Sequence, residues 1–164
     1  MRVLNRKGDF IGAKADPHLT PEKFDELSAK LEHLKKVSRL RLMKEVAKEA
    51  ENGDFSENAA YQIAKGKLRG VNEAILEIEA HLKKAVIITT KKHDNVSLGA
   101  HVTVASGGHE KTFLILGSSE VNLEKNIISH NSPLGLALLG KKIGETVVVT
   151  NHGKSRHYTI TNIT

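Results

Sequence analysis

Cysteine and tryptophan are both absent from this 164-residue chain, proline occurs three times, and four Phe with two Tyr supply all of its aromatic surface. Without thiols there is no disulfide framework and no thiolate metal site, which points to a reducing, cytoplasmic setting. So few aromatic rings leave little to stack unpaired bases on, so any contact with nucleic acid should run through charge. No run of eighteen apolar residues is present, and the N-terminus lacks a charged stretch leading into an apolar one, so no membrane association is expected. The nine histidines form neither an HExxH nor an H-x3-H pair, which speaks against a zinc enzyme. P-loop and nucleophile-elbow sequences are missing too.

What is present falls into two halves of different period. The formal charge of +6 divides evenly, +3 on residues 1–84 and +3 on residues 85–164, a pattern that fits a solvated surface or a polyanionic partner equally. Residues 1–18 show no period and carry Gly, Asp and Pro, the composition of a flexible lead-in. A helix start follows: Thr20 suits the N-cap, Pro21 the first helical position, and Glu22 and Asp25 the positive end of the dipole. Phe24, Leu27, Leu31 and Leu34, then Leu42, Val46 and Ala50, make an apolar stripe, mirrored by Leu68, Val71, Ile75, Ile78 and Leu82.

Residues that face each other across an antiparallel hairpin have position numbers with a constant total. Phe24 with Leu82, Leu27 with Ile78, Leu31 with Ile75, Leu34 with Val71 and Leu42 with Ala64 all total 105 or 106. The chain should therefore reverse at Gly53, within "NGDF", and the hairpin over 19–84 should project roughly 40 Å at ~1.5 Å per residue. Its distal seam thins to Ala50, Ala60 and Ala64. Gly66 and Gly70 either weaken the second helix, by about 1 kcal/mol each relative to alanine, or allow the helices to approach closely.

From residue 86 to 164 the period changes to two. Short β-rich runs, "AVIITT", "AHVTVAS", "KTFLILG", "NIIS", "ETVVVT" and "HYTITNI", are separated by turn signals at Gly107-Gly108, Asn122 and Asn151 to Gly153. "SPLGLALLG" suits one short helix capped by Ser132, either closing the core or serving as a docking surface. The fold class expected is α+β, a helical hairpin followed by a small antiparallel sheet with one short helix.

At the reversal, Asp54 and Glu57 stand three apart. Asp-x-x-Glu is a capping-box-like pattern at a helix start, favourable by about 0.3 to 1 kcal/mol, and this alone accounts for it. The alternative is chemical. Mg²⁺ is commonly held by one or two carboxylates with water or phosphate completing its octahedron, so two acids at the end of a long projection would contribute to a site assembled mainly elsewhere.

"GDFSENAAYQIAKGKLR" resembles the tip signature of the bacterial Gre transcript-cleavage factors, and "ISHNSPLGLALLGKKIGETVVV" resembles the signature of their C-terminal domain. The two matches agree in order and spacing over about residues 19–163, and "SENAAYQ" followed by "KLR" leans toward the GreB type. The resemblance implies a coiled-coil hairpin and an FK506-binding-protein-like domain, the latter docking at the rim of the RNA polymerase secondary channel while the hairpin reaches the active centre. It implies further that Asp54 and Glu57 help hold a shared Mg²⁺ and the attacking water while the RNA 3′ end of a backtracked complex is cleaved. The polymerase would supply the main catalytic carboxylates, so the chain alone is expected to be no enzyme, to hold no stable Mg²⁺ and to act as a monomer.

Around that pair, Ser56 can hydrogen-bond the water or a carboxylate, or simply cap the backbone. Phe55 either closes the hairpin end or contacts polymerase, and Tyr61 is implied to pack beside the tip. Lys65, Lys67 and Arg69 match the family's basic patch and so imply contact with RNA phosphates, against the plain reading of a solvated helix face. Ala60 stands where many relatives carry an acid. A channel-binding regulator without cleavage is the competing reading; a prolyl isomerase is disfavoured because residues 86–164 hold only Phe113 and Tyr158 as aromatics.

Overall fold

The structure, a computed structural model, describes residues 16–51, 58–89, 94–151 and 153–164, and for Asn151 the backbone only. The chain divides into two compact units, one spanning Leu19–Ile88, the other joining residues 16–18 to residues 89–164. The architecture is α+β: a helical hairpin, then a curled β-sheet domain with a short helix.

The helical unit contains α1 (Pro21–His33), a π-helical stretch (Leu34–Ser38), α2 (Arg39–Ala50) and α3 (Ala59–Lys83), between two-residue strands β1 (His18–Leu19) and β2 (Val86–Ile87). The α1 start follows its local signals: Pro21 occupies the first turn and the Lys23 N–H donates to Thr20 Oγ1 at 3.2 Å. The Ile88 N–H donates to the Leu19 carbonyl at 2.8 Å, joining the two chain ends of this unit.

The π-helical stretch has a cause in the spacing. Leu34, Ser38, Leu42, Val46 and Ala50 recur every fourth residue, and in a straight α-helix each such step drifts about 40° around the axis. One wider turn with i→i+5 hydrogen bonds takes up part of that drift and keeps the stripe on the seam. Both α1 and α2 contact α3, and Leu42, Ala64 and Ile75 are buried, whereas Phe24, Leu27, Leu31, Leu34, Val71, Ile78 and Leu82 are half-buried. Two helices cannot enclose a seam as a third layer would.

Ion pairs cross the seam between Lys35 and Glu79 and between Glu45 and Lys67, the latter at 3.6 Å. Their position numbers total 114 and 112, above the totals of 105 and 106 from the apolar pattern. Side chains in both helices lean toward their own N-termini, so long side chains that meet in an antiparallel pair carry higher totals than backbone positions at one level.

The second unit has a five-stranded sheet in the order β5-β4-β3-β7-β6, formed by β3 (His101–Ser106), β4 (His109–Leu116), β5 (Ile127–Ser129), β6 (Thr146–Asn151) and β7 (Lys154–Ile163). β3, β4, β6 and β7 pair antiparallel, but β5 lies parallel to β4, Leu114 opposite Ile127. The sheet is thus mixed rather than purely antiparallel, because the chain between β4 and β5 passes through a 3-10 turn (Ser118–Glu120) and returns in the same direction instead of closing a hairpin. The first β-rich run, "AVIITT", contributes β2 outside this sheet.

Gly107 and Gly108, with φ of +58° and +80°, form the two-residue turn between β3 and β4, the mirror-image geometry that suits strand twist and that side chains disfavour. The core alternates as period two requires: Val102 and Val104 of β3, Ile115, Ile128, Val147 and Ile160 are buried together with Val96, Ala100 and Leu138. Leu138 comes from α4 (Pro133–Leu138), whose start is capped by Ser132 Oγ accepting from the Gly135 N–H at 3.0 Å. Leu134, Ala137 and Leu139 pack against the same core, so this segment closes the domain, while Leu136 is exposed.

Candidate functional site

Residues 52–57 join α2 to α3, and Asp54, Phe55, Ser56 and Glu57 all lie outside the described residues. The structure does describe both ends of the joined helices. α3 begins at Ala59 and its cap is Asn58, whose Oδ1 accepts from the Tyr61 N–H at 2.9 Å. The same side chain donates through Nδ2 to the Glu49 carbonyl near the end of α2, also at 2.9 Å. One amide therefore bonds the first turn of α3 and the last turn of α2, tying the two helices together at their adjoining ends. The cap of α3 is thus four residues further along the chain than Asp54, whose own surroundings lie outside the described residues. Asn58 went unnoticed in the sequence although the signal was there, an Asn immediately before the helix-favouring "AA".

Tyr61 is half-buried in the first turn of α3, and Lys65 Nζ stands over its ring, 5.6 Å from the centroid. Arg69, one turn beyond Lys65 on the same face, approaches Glu73 with its Nε at 3.8 Å. Lys67 lies about 200° round the helix from Lys65 and faces α2 through its pair with Glu45. The basic residues thus divide: Lys65 and Arg69 share one face, Lys67 another. A Cβ built on Gly66 or Gly70 would meet no atom within 4 Å, so neither glycine serves close helix approach. Ala60 is exposed.

In the second unit a cleft of about 550 Å³ opens beside α4, lined by Pro133, Leu134, Val149, Lys154, Arg156 and Tyr158 among others. Phe113 and Tyr158 are both engaged against the core. Among the described residues no helix is long and apolar enough to cross a membrane.

A helical hairpin with a stitched end, followed by a curled mixed sheet, defines the architectural class, and comparison with known proteins assigns the family. Residues 18–87 match the family described as "Transcription elongation factor, N-terminal", and residues 91–164 match "Transcription elongation factor, GreA/GreB, C-term". The transcription elongation factor GreA of Ruegeria pomeroyi is 38% identical over 148 residues, covering 88% of this chain and 95% of that protein. GreA of Thermodesulfovibrio yellowstonii is 35% identical over 149 residues, covering 88% and 94%. Among solved structures, GreA factor homolog 1 of Thermus thermophilus aligns with 91% of this chain and 99% of its own at 22% identity and a TM-score of 0.42. The chain belongs to the GreA/GreB family of transcription elongation factors. Both relatives carry the name GreA, so the leaning toward the GreB type, drawn from "SENAAYQ" and "KLR", has no backing in them.

Proposed function

We propose that this elongation factor binds RNA polymerase at its secondary channel and stimulates Mg²⁺-dependent cleavage of the 3′ end of backtracked RNA. The carrying observation is the position of the acid pair in the chain. Asp54 and Glu57 belong to the segment joining two helices whose adjoining ends are held together by Asn58, in a protein that matches the family along both of its parts.

The donor set fits Mg²⁺, which prefers hard oxygen ligands, but two carboxylates supply too few for an octahedral ion. The remaining ligands would come from polymerase carboxylates, phosphate and water, and the chain alone would neither retain the ion nor cleave RNA. When bound, Mg²⁺ supplies charge neutralisation and a more acidic water. Asp54 and Glu57 hold and orient, and Ser56 can hydrogen-bond either the water or a carboxylate. Lys65 and Arg69 share a face that can attract RNA phosphates without reading sequence, whereas Lys67 has first to leave Glu45. Phe55 and Tyr61 support the tip, and the β domain docks at the channel rim.

The test is cleavage of a defined backtracked complex with native protein and with Asp54→Ala/Glu57→Ala. The expected outcome is loss of stimulated cleavage with polymerase binding retained; full cleavage by the double variant would reject the role of the acids. Native protein that inhibits without releasing a fragment would establish the non-cleaving regulator instead. The length of the released fragment decides between GreA and GreB behaviour.

A further inference from the structure

Asp16, His18 and His130 converge within the second unit, although 112 positions separate His18 from His130. Their candidate ligand atoms all lie within 4.8 Å of one another, the one such group of three among the described residues. His18 Nδ1 is 3.0 Å from Asp16 Oδ1, and His130 Nδ1 is 3.3 Å from Asp16 Oδ2. The imidazoles meet edge-on, centroids 5.3 Å apart and planes at 77°, so they do not stack over each other's nitrogens.

The carboxylate is held from behind. The His18 N–H donates to Oδ1 at 3.1 Å and the Ser118 N–H to Oδ2 at 2.7 Å. Burial pushes the Asp16 carboxyl up, but the backbone N–H groups of Ser118 and His18, with the side chains of both, outweigh it and hold the group below its ordinary value of 3.8. The segment sits tightly in place: a Cβ on Gly117 would come within 2.1 Å of the His18 carbonyl oxygen. Side-chain exposure rises from 4% at Asp16 through 14% at His130 to 34% at His18, giving the group a buried end and an end open to solvent.

We propose that Asp16, His18 and His130 form a binding site for a divalent transition-metal cation of the Zn²⁺ class, which would clamp residues 16–18 onto the segment 117–130. Imidazole and carboxylate are the borderline donors such ions favour. A tetrahedral ion with metal–ligand bonds of ~2.0–2.1 Å keeps neighbouring ligand atoms about 3.3 Å apart. Each nitrogen–oxygen separation, 3.0 Å from His18 Nδ1 to Oδ1 and 3.3 Å from His130 Nδ1 to Oδ2, is close to that spacing, so each imidazole can share an ion with its own oxygen of the carboxylate. A water on the open side would supply the fourth ligand, since the Leu116 carbonyl near His130 Nδ1 already accepts the His130 backbone N–H at 2.9 Å. The backbone donors behind Asp16 act as the outer shell that fixes a ligating carboxylate. Asp16 precedes both family-matched segments, while His18 and His130 lie within them.

The test uses the full chain, stripped with chelator and titrated with Co²⁺ as the spectroscopic probe, then with Zn²⁺ as competitor. One Co²⁺ per chain should bind with visible bands of low-symmetry coordination, be displaced by Zn²⁺, and raise the midpoint of thermal unfolding. His18→Gln and His130→Gln should each bind at least tenfold more weakly, while His101→Gln and His157→Gln, both exposed in the same unit, bind as the native chain does. Imidazole resonances of the native protein should shift at His18 and His130 on Zn²⁺ addition, a readout that needs no variant. Binding below one equivalent, equal affinity in the His18 and His130 variants, or shifts confined to other histidines would overturn the site and leave the group a hydrogen-bonded clamp alone.

Discussion

The hairpin and the β domain keep apolar surface from water by different means. Along the helices of the hairpin only Leu42, Ala64 and Ile75 are buried, and Val37, Leu40, Met43, Ile63 and Leu76 face solvent. In the β domain Val96, Val102, Val104, Ile115, Leu138 and Ile160 are enclosed from every side by a sheet, a short helix and loops. A two-layer seam leaves each side chain open along its flanks, whereas a curled sheet with a helical plug gives each one a full set of neighbours. The difference means that stability in the hairpin is distributed over helix caps and backbone propensity, while in the domain it is concentrated in packing. An element of two helices has no third layer to bury its flanks and is held by local devices instead.

This contrast can be broken most decisively in the domain core. Ile115→Ala should destabilise the domain by about 2–5 kcal/mol through lost burial plus a residual cavity, seen as a lower thermal midpoint and faster amide exchange in β3, β4 and β7. An equal loss from Leu31→Ala, at a half-buried seam position, would show the two regions to be packed alike. Asn58→Ala should cost the hairpin about 1–2 kcal/mol, since it removes a cap and the tie to Glu49; exchange should accelerate at the adjoining ends of α2 and α3 while the β domain is unaffected. Gly66→Ala and Gly70→Ala should each stabilise the hairpin by about 0.8–1 kcal/mol, because nothing obstructs the added methyl, and helicity measured by circular dichroism should rise.

The smallest effect concerns Glu145, in the loop before β6. The Lys142 N–H, donating at 2.7 Å, and then Lys141 Nζ at 3.2 Å hold its carboxyl below the ordinary 4.5. A lowered value in the folded state stabilises at pH above the unfolded value, and this contribution disappears as pH falls through the lowered one. Glu145→Gln should therefore narrow its stability gap to the native chain as pH drops below about 4.5, a small change because the group is exposed to solvent. A gap that widens on acidification would contradict the assignment.

Local devices were legible in advance for the same reason that they are local. Thr20, Pro21 and Ser132 act on backbone groups within three or four residues, and the apolar stripes reflect the helical period directly. The strand runs were legible from alternation, down to the Gly107-Gly108 turn. The stepping of the first helix by four was visible as well, but that it resolves into a π-helical turn is settled by which face α3 must meet. The acids of the proposed site were found from their place between two helical patterns, whereas the start of α3 was read several residues early, because Asp54 and Asn58 are both competent caps and local preference does not choose between them.

By itself, the order of residues determined the two periods, the starts of α1 and α4 and the family signatures, all of which depend on neighbours a few residues away. Only the tertiary structure decided that β5 runs parallel to β4, that Lys67 meets Glu45 across the seam, and that Asp16 and His18 meet His130. Contacts between residues remote in sequence follow from how the sheet curls and where the chain returns. Those choices minimise exposed apolar surface over a whole unit and leave no periodic trace along the chain.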